Sequence, residues 1–199
     1  MQVRTIYSDE HTENDIVLIK RLLANNPNNL GIHDLEGWET KNSSFLYVFL
    51  KTNRFSKENG GVVLVEDNGE LAGMSGFNRS DFDPSVFILG ARTIIDHKFR
   101  HELYMSTYII PAQMAHVSEQ AKMVLFLFDT DNPFSLYHVF VNSKLNLFLK
   151  DKLASFAALY DGLTALPFPV TVNNTTQNVL YIKLDRAFEF DWNRIKANV

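Results

Sequence analysis

Ionisable side chains are densest in the run Asp96-His97-Lys98-Phe99-Arg100-His101-Glu102. Two histidines four apart on a helix can share a metal ion. His97, however, falls in a strand-to-loop segment and no third ligand has diagnostic spacing, so a solvated loop of mixed charge is the simpler expectation. Arg100 offers a planar fork suited to a phosphate, and a solvated loop arginine would look the same in sequence. Asp129-Thr130-Asp131-Asn132-Pro133 resembles part of a calcium loop without its glycine and glutamate, and helix capping explains it better. Gly73-Met74-Ser75-Gly76 has the outline of a serine-nucleophile motif but lacks the second spacer and lies in a strand pattern instead of a strand-to-helix turn. Tyr137 lies on the apolar side of a helical pattern, the usual place of a core tyrosine whose hydroxyl reaches the surface.

Those residues need elements to position them. Val3 to Tyr7 reads as a short strand. Thr12, with Asp15 three residues on, reads as a helix start, and Ile16, Ile19, Leu22 and Leu23 continue one helical face to Asn25-Asn26-Pro27. Residues 28–41 read as loop, and a second helix starts at Ser43 or Ser44 and carries Phe45, Leu46, Phe49 and Leu50. Val62 to Met74 reads as two strands around Asn68-Gly69, the pair best suited to a tight hairpin. Val86 to Ile95 is a third antiparallel strand beside them. From Leu103 to Ala121 apolar residues recur at helical spacing, with Pro111 either kinking the helix or marking its true start. Met123 to Phe128 is a continuous apolar run, as in a strand buried on both faces at the sheet centre. Helices are predicted from Pro133 to Val141 and over Leu145 to Tyr160. Phe168 to Val172 and Val179 to Leu184 close the chain as strands joined by polar residues 173–178. The aromatic end, Phe188 to Trp192, folds back to cover the sheet or serves as a partner-binding tail.

Composition narrows the class. The chain has 199 residues, 46% of them hydrophobic, no cysteine, and a formal charge of −4. That length suits a single domain over residues 1–199 which needs no disulfide or metal to fold. Thiolate nucleophiles and thiolate zinc sites are excluded. The acidic balance argues against a nucleic-acid partner. No apolar run approaches the roughly 20 residues that span a bilayer, and no signal-peptide pattern opens the sequence. A cytoplasmic soluble protein is the expectation, with oligomeric state left open.

Strand, two helices, three antiparallel strands, helix, buried strand, one or two helices and two strands follow in that order, and the third of the antiparallel strands ends in Ile95-Asp96-His97-Lys98-Phe99-Arg100-His101-Glu102-Leu103-Tyr104-Met105. In this order and this segment the chain resembles the GNAT superfamily of N-acetyltransferases, whose cofactor motif reads approximately V-D-P-x-Y-R-G-x-G-x-G or A. Ile95, Asp96, Phe99 and Arg100 fit, while each motif glycine is replaced, leaving a degenerate motif. The resemblance implies an α/β (α+β) fold with a mixed, mainly antiparallel sheet flanked by helices and splayed between strands four and five. It implies that Ile95, Arg100, Leu103, Tyr104, Met105, Ser106 and Asn132 bind acetyl-CoA or another acyl-CoA. Tyr137, two residues earlier than the family spacing, would protonate the departing thiolate, and His97, Asp96 or His138 would serve as base toward a small-molecule or peptide amine. The family's glycines admit close backbone approach to a pyrophosphate, whereas Leu103 and Met105 put side chains there. Two rival expectations follow: a non-catalytic binding protein on this fold that has lost coenzyme A, and a transferase using another acyl donor, such as an aminoacyl group on tRNA.

Overall fold

Asn68 and Gly69 adopt φ of 51° and 80°, the left-handed pair that matches the twist of a two-residue hairpin. They join β2 (Gly60–Asp67) to β3 (Glu70–Arg79) in an antiparallel ladder running from Asp67↔Glu70 to Gly60↔Asn78, with a bulge at Val65/Glu66. In the computed structural model, residues 1–26, 44–99, 104–130, 162–172 and 175–196 are described. The expected loop 28–41 and the helices placed between Pro133 and Tyr160 lie outside them.

Described residues form two compact units, Met1–Arg79 with Gly90–His116, and Ser80–Leu89 with Val117–Val199. In the first, β1 (Gln2–Ile6) pairs antiparallel with β2, and β3 neighbours β4 (Val86–Ile95). A Cβ on Gly73 would meet Ile94 and Ile95, whereas one on Gly76 would meet Ala91. The order along the two strands is thus reversed, as an antiparallel pair requires.

Helix α1 (Glu13–Asn25) starts on a complete capping box: Thr12 Oγ1 accepts from the Asp15 N–H while Asp15 Oδ2 accepts from the Thr12 N–H at 2.7 Å. Arg4 then reaches Asp15 at 2.6 Å and Glu66 at 2.8 Å. Ile19, Leu22 and Leu23 of α1, with Phe45 and Phe49 of helix α2 (residues 44–51), pack on Val62, Leu64, Met74 and Ile94. Leu50, expected on that buried face, is 39% exposed, because position 50 turns away from the sheet that Phe49 meets.

The opposite face of this sheet meets α3 (Ile110–Val117) and the π-helical turn Met105–Ile109 before it. Pro111 is the second residue of α3, so the regular α-helix starts within one residue of it. A proline has no N–H for the carbonyl four residues back and its ring crowds that carbonyl. The turn before it widens instead, with the Ile110 N–H bonding Met105 O, five residues back, the pattern of a π-bulge. At the far end of α3, His116 lies between Phe77 (ring centroids 4.9 Å apart) and Tyr7 (5.7 Å), with Nδ1 3.3 Å from the Tyr7 hydroxyl. Burial, and secondarily Lys57, hold its pKa below the ordinary imidazole value.

In the second unit, Val86–Leu89 of β4 runs parallel to Met123–Phe126 of β5 (Met123–Asp129). Along its other edge β5 pairs antiparallel with β8 (Thr175–Lys183), and β6 (Thr164–Ala165) and β7 (Val170–Val172) also pair with β8. As its apolar run predicts, β5 is central: Met123, Val124 and Leu125 are fully buried. The β7–β8 hairpin is tighter than expected, since Val172 pairs with Thr175. The β-branched Thr175 and Thr176 extend a strand that apolar residues alone would start at Val179. The chain end folds back. Trp192 packs on Tyr181 (5.2 Å) and edge-on to Phe190 (5.0 Å), and α4 (Asn193–Lys196) buries Ile195 beside them.

The architecture is therefore a mixed, mainly antiparallel sheet with one parallel pair, flanked by helices. None of the described helices is long and apolar enough to cross a membrane.

Candidate functional site

β4 departs from strand geometry immediately after its last residue paired with β5. Its ladder with β5 ends at Leu89↔Phe126. Gly90 follows with φ 85° and Arg92 with φ 52°, a left-handed backbone that is natural for glycine and strained for arginine. β4 nevertheless runs on to Ile95. Over Gly90–Ile95, the edge of β4 that faced β5 has no strand partner among the described residues. In sheet proteins an edge without a neighbouring strand is a common place for an extended ligand to pair.

Three side chains support this kink from within the first unit. Thr93 Oγ1 donates to Gly90 O at 2.9 Å, Ser75 Oγ lies 2.7 Å from Thr93 Oγ1, and Gln113 Nε2 of α3 lies 3.1 Å from Ser75 Oγ. Ser75 and Gln113 are fully buried. That placement closes the serine-nucleophile reading of Gly73-Met74-Ser75-Gly76, because the hydroxyl is out of reach of any substrate.

At the end of β4, the Asp96 carboxylate is buried and occupied. Its Oδ1 accepts the Lys98 N–H at 3.0 Å, and its Oδ2 accepts Asn26 Nδ2 at 3.2 Å. Asn26 Oδ1 in turn accepts the His97 N–H at 3.1 Å, and Asn26 Nδ2 also donates to Leu22 O. The C-terminus of α1 is thereby tied to the turn His97–Phe99 that leads out of β4. Asp96 serves as a clamp for that turn. His97 is 61% exposed, with Nδ1 3.3 Å from Asp96 Oδ1. Lys98 pairs at the surface with Glu70. A small depression bordered by Arg21, Asn25, Glu70 and Lys98 lies beside the turn.

The other expected cofactor residues divide sharply. Ile95 lies over Gly73, where a Cβ would come within 2.6 Å of Ile95 Cδ1. Tyr104 is 3% exposed and packs its ring on Phe99 (5.8 Å) and Tyr108 (5.6 Å), so it anchors the helix start as a core residue. Met105 reaches back to the kink: its Cε is 3.9 Å from the place a Cβ of Gly90 would occupy. For Ser106 only the backbone, within the π turn, is described. Arg100, Leu103, Asn132 and Tyr137, with His101 and His138, lie outside the described residues. Among the described residues no cluster of three metal-ligating side chains forms, so the His97 metal reading gains nothing.

Sequence reasoning missed the kink, its Ser75–Thr93–Gln113 support and the Asn26 clamp. A glycine inside a strand pattern, here Gly90, is the available signal for the first. Long-range pairs such as Asn26–Asp96 leave no local mark.

No protein-family model matches the sequence, and no curated protein matches it. Solved structures do. A GNAT-family acetyltransferase structure from Desulfovibrio desulfuricans superposes with a TM-score of 0.58 at 7% identity, covering 92% of this chain and 98% of that one. Diaminobutyrate acetyltransferase from Paenibacillus lautus, solved with diaminobutyric acid and coenzyme A, gives 0.53 at 11%, covering 96% and 97%. Spermidine N-acetyltransferase from Vibrio cholerae gives 0.51 at 12%, covering 94% and 96%. With the parallel β4–β5 pair, the strand order around it and these superpositions together, the chain has the fold of the GNAT acetyltransferases.

Proposed function

We propose that this protein transfers an acyl group from an acyl-CoA to an amine, as a diverged member of the GNAT acetyltransferases with a crowded cofactor site. The observation that carries the reading is the kink at Gly90–Arg92, directly after the last residue of β4 that pairs with β5, which leaves a strand edge for an extended ligand. The residues fit coenzyme A along this edge, and Met105 narrows the fit where its methyl approaches Gly90. Bound acyl-CoA would supply the activated acyl group. The remaining roles belong to the chain. Peptide groups of Gly90–Ile95 align the ligand, and Ile95 closes one side of it. By the resemblance, Arg100 and residues 103–106 are assigned to its phosphates. The resemblance assigns Asn132 to the cofactor and Tyr137 as proton donor to the leaving sulfur. His97, seven positions beyond Gly90 in the chain, takes up the amine proton through solvent, with Asp96 holding its Nδ1 side. Diaminobutyrate and spermidine acetyltransferases on this fold support a small amine as acceptor, and a peptide amine has the same nucleophile.

Calorimetry with acetyl-CoA and free CoA tests the reading on wild type and on the Leu103→Gly, Met105→Gly double variant. Saturable wild-type binding, tightened in the variant, supports both the cofactor and the crowding. Micromolar wild-type binding that the variant leaves unchanged removes the crowding. Absence of binding by both at millimolar ligand overturns the acyl-CoA reading and leaves the non-catalytic protein and the transferase with another acyl donor. Each glycine costs about 1 kcal/mol in a helix, so folding of the variant is checked alongside.

A further inference from the structure

The hydrogen bonds of the three polar side chains behind the kink run in one direction, with the two Gln113 Nε2 protons shared among three acceptors. Gly90 O can only accept, so the single Thr93 hydroxyl proton is committed to it at 2.9 Å. Thr93 Oγ1 must therefore accept from Ser75, 2.7 Å away. Ser75, its proton spent, must itself accept, and Gln113 Nε2 donates to it at 3.1 Å. The amide cannot be turned over. Its Nε2 also faces Ser75 O at 3.1 Å and Gly76 O at 3.0 Å, and two carbonyls would repel an oxygen placed there. Gln113 Oε1 is left buried without a partner among the described residues. Leaving an acceptor unsatisfied costs about 1–3 kcal/mol, so the orientation of Nε2 toward β3 is worth more than a bond for Oε1.

From this we infer that Gln113, Ser75 and Thr93 are positioning residues: a one-way hydrogen-bond chain, from α3 through β3, that fixes the Gly90–Arg92 kink in the geometry that receives the ligand. The chain ends on the carbonyl of the very residue with φ 85°. It sets the Gly90 peptide plane, and hence the direction of the next N–H, without touching ligand itself. The inference rests on the proposed role of the β4 edge in binding, and its test has a readout that does not.

Thr93→Val removes the donor while keeping the shape, Thr93→Ser keeps the donor, and Ser75→Ala cuts the chain one link further back. Amide exchange and chemical shifts at Ala91 and Arg92, coenzyme A affinity and melting temperature are measured for each. We expect Thr93→Val and Ser75→Ala to speed exchange at these two amides and to weaken coenzyme A binding, each about tenfold, the scale of one hydrogen bond. Thr93→Ser should match wild type in both. Unchanged exchange and shifts at 91 and 92 in Thr93→Val and Ser75→Ala would overturn the inference. So would a rise in exchange spread evenly over the sheet, which marks a merely structural loss. Changed exchange in a protein whose wild type binds no coenzyme A would instead sink the acyl-CoA reading and with it the ligand-positioning role, while the chain's hold on the kink would stand.

Discussion

Asp15 and His116 respond to acid in the same direction for opposite reasons. Burial alone would raise the Asp15 pKa, but hydrogen bonds from Thr12 and the Arg4 guanidinium outweigh it and hold the carboxyl below its ordinary value. Its contribution is complete above the unfolded-state pKa near 3.9 and is lost as pH falls through the lower folded value. His116 is held neutral by burial, so the unfolded chain takes up its proton first, near pH 6.5, and folding loses stability as pH drops from there. Denaturant titrations across pH should show stability declining in two stages. His116→Gln should flatten the upper one, and Asp15→Asn the lower one. At Gly90 the difficulty is backbone. A Cβ there meets only ordinary contacts, Thr93 Oγ1 at 3.6 Å and Met105 Cε at 3.9 Å, so Gly90→Ala should cost about 1–2 kcal/mol through its positive φ alone. Stability measured with coenzyme A binding checks this, since a packing defect would cost more. The capping pair Thr12/Asp15 was readable from spacing because its bonds are local. Arg4 as their third partner was not, since it arrives from another strand.

Elements with strong local periodicity or turn chemistry were legible: α1, the Asn68-Gly69 hairpin, β4 at its full bounds and the buried β5. What escaped depends on tertiary context. Thr175 and Thr176 extend β8 because a neighbouring strand offers them hydrogen bonds, and the π turn before Pro111 forms because the helix must continue on both sides of a residue that cannot donate. Of the candidate site, Ile95, Asp96, His97, Tyr104 and Met105 could be located from the motif, but the packed role of Tyr104 and the clamp role of Asp96 needed partners distant in sequence. The hairpin gives the cleanest test at this scale. A Cβ on Gly69 meets nothing within 4 Å, so Gly69→Ala should destabilise by about 1 kcal/mol through backbone conformation alone. Chemical denaturation that shows no loss would mean the turn relaxes to another type.

At the scale of the molecule, β4 is the one strand among the described residues that belongs to both units, Val86–Leu89 to one and Gly90–Ile95 to the other. We propose that the units unfold as one domain, because releasing β4 from either ladder removes a strand from both. Amide exchange at Val63 in the first unit and Leu125 in the second should then give equal opening free energies. Phe190→Ala, which empties a buried site in the second unit, should lower both together by about 3 kcal/mol. A loss at Leu125 alone would show two independent domains. The hairpin has one more consequence, in time. Its ladder closes over a two-residue turn, whereas β1 must find β2 across the span from Val3 to Val65, and β5 must find β4 across that from Val86 to Met123. Hairpins form in about 1–10 μs, and longer loops close later at greater entropic cost. Gly69→Ala should therefore slow refolding more than it hastens unfolding, which would make a two-residue turn the clock for the rest.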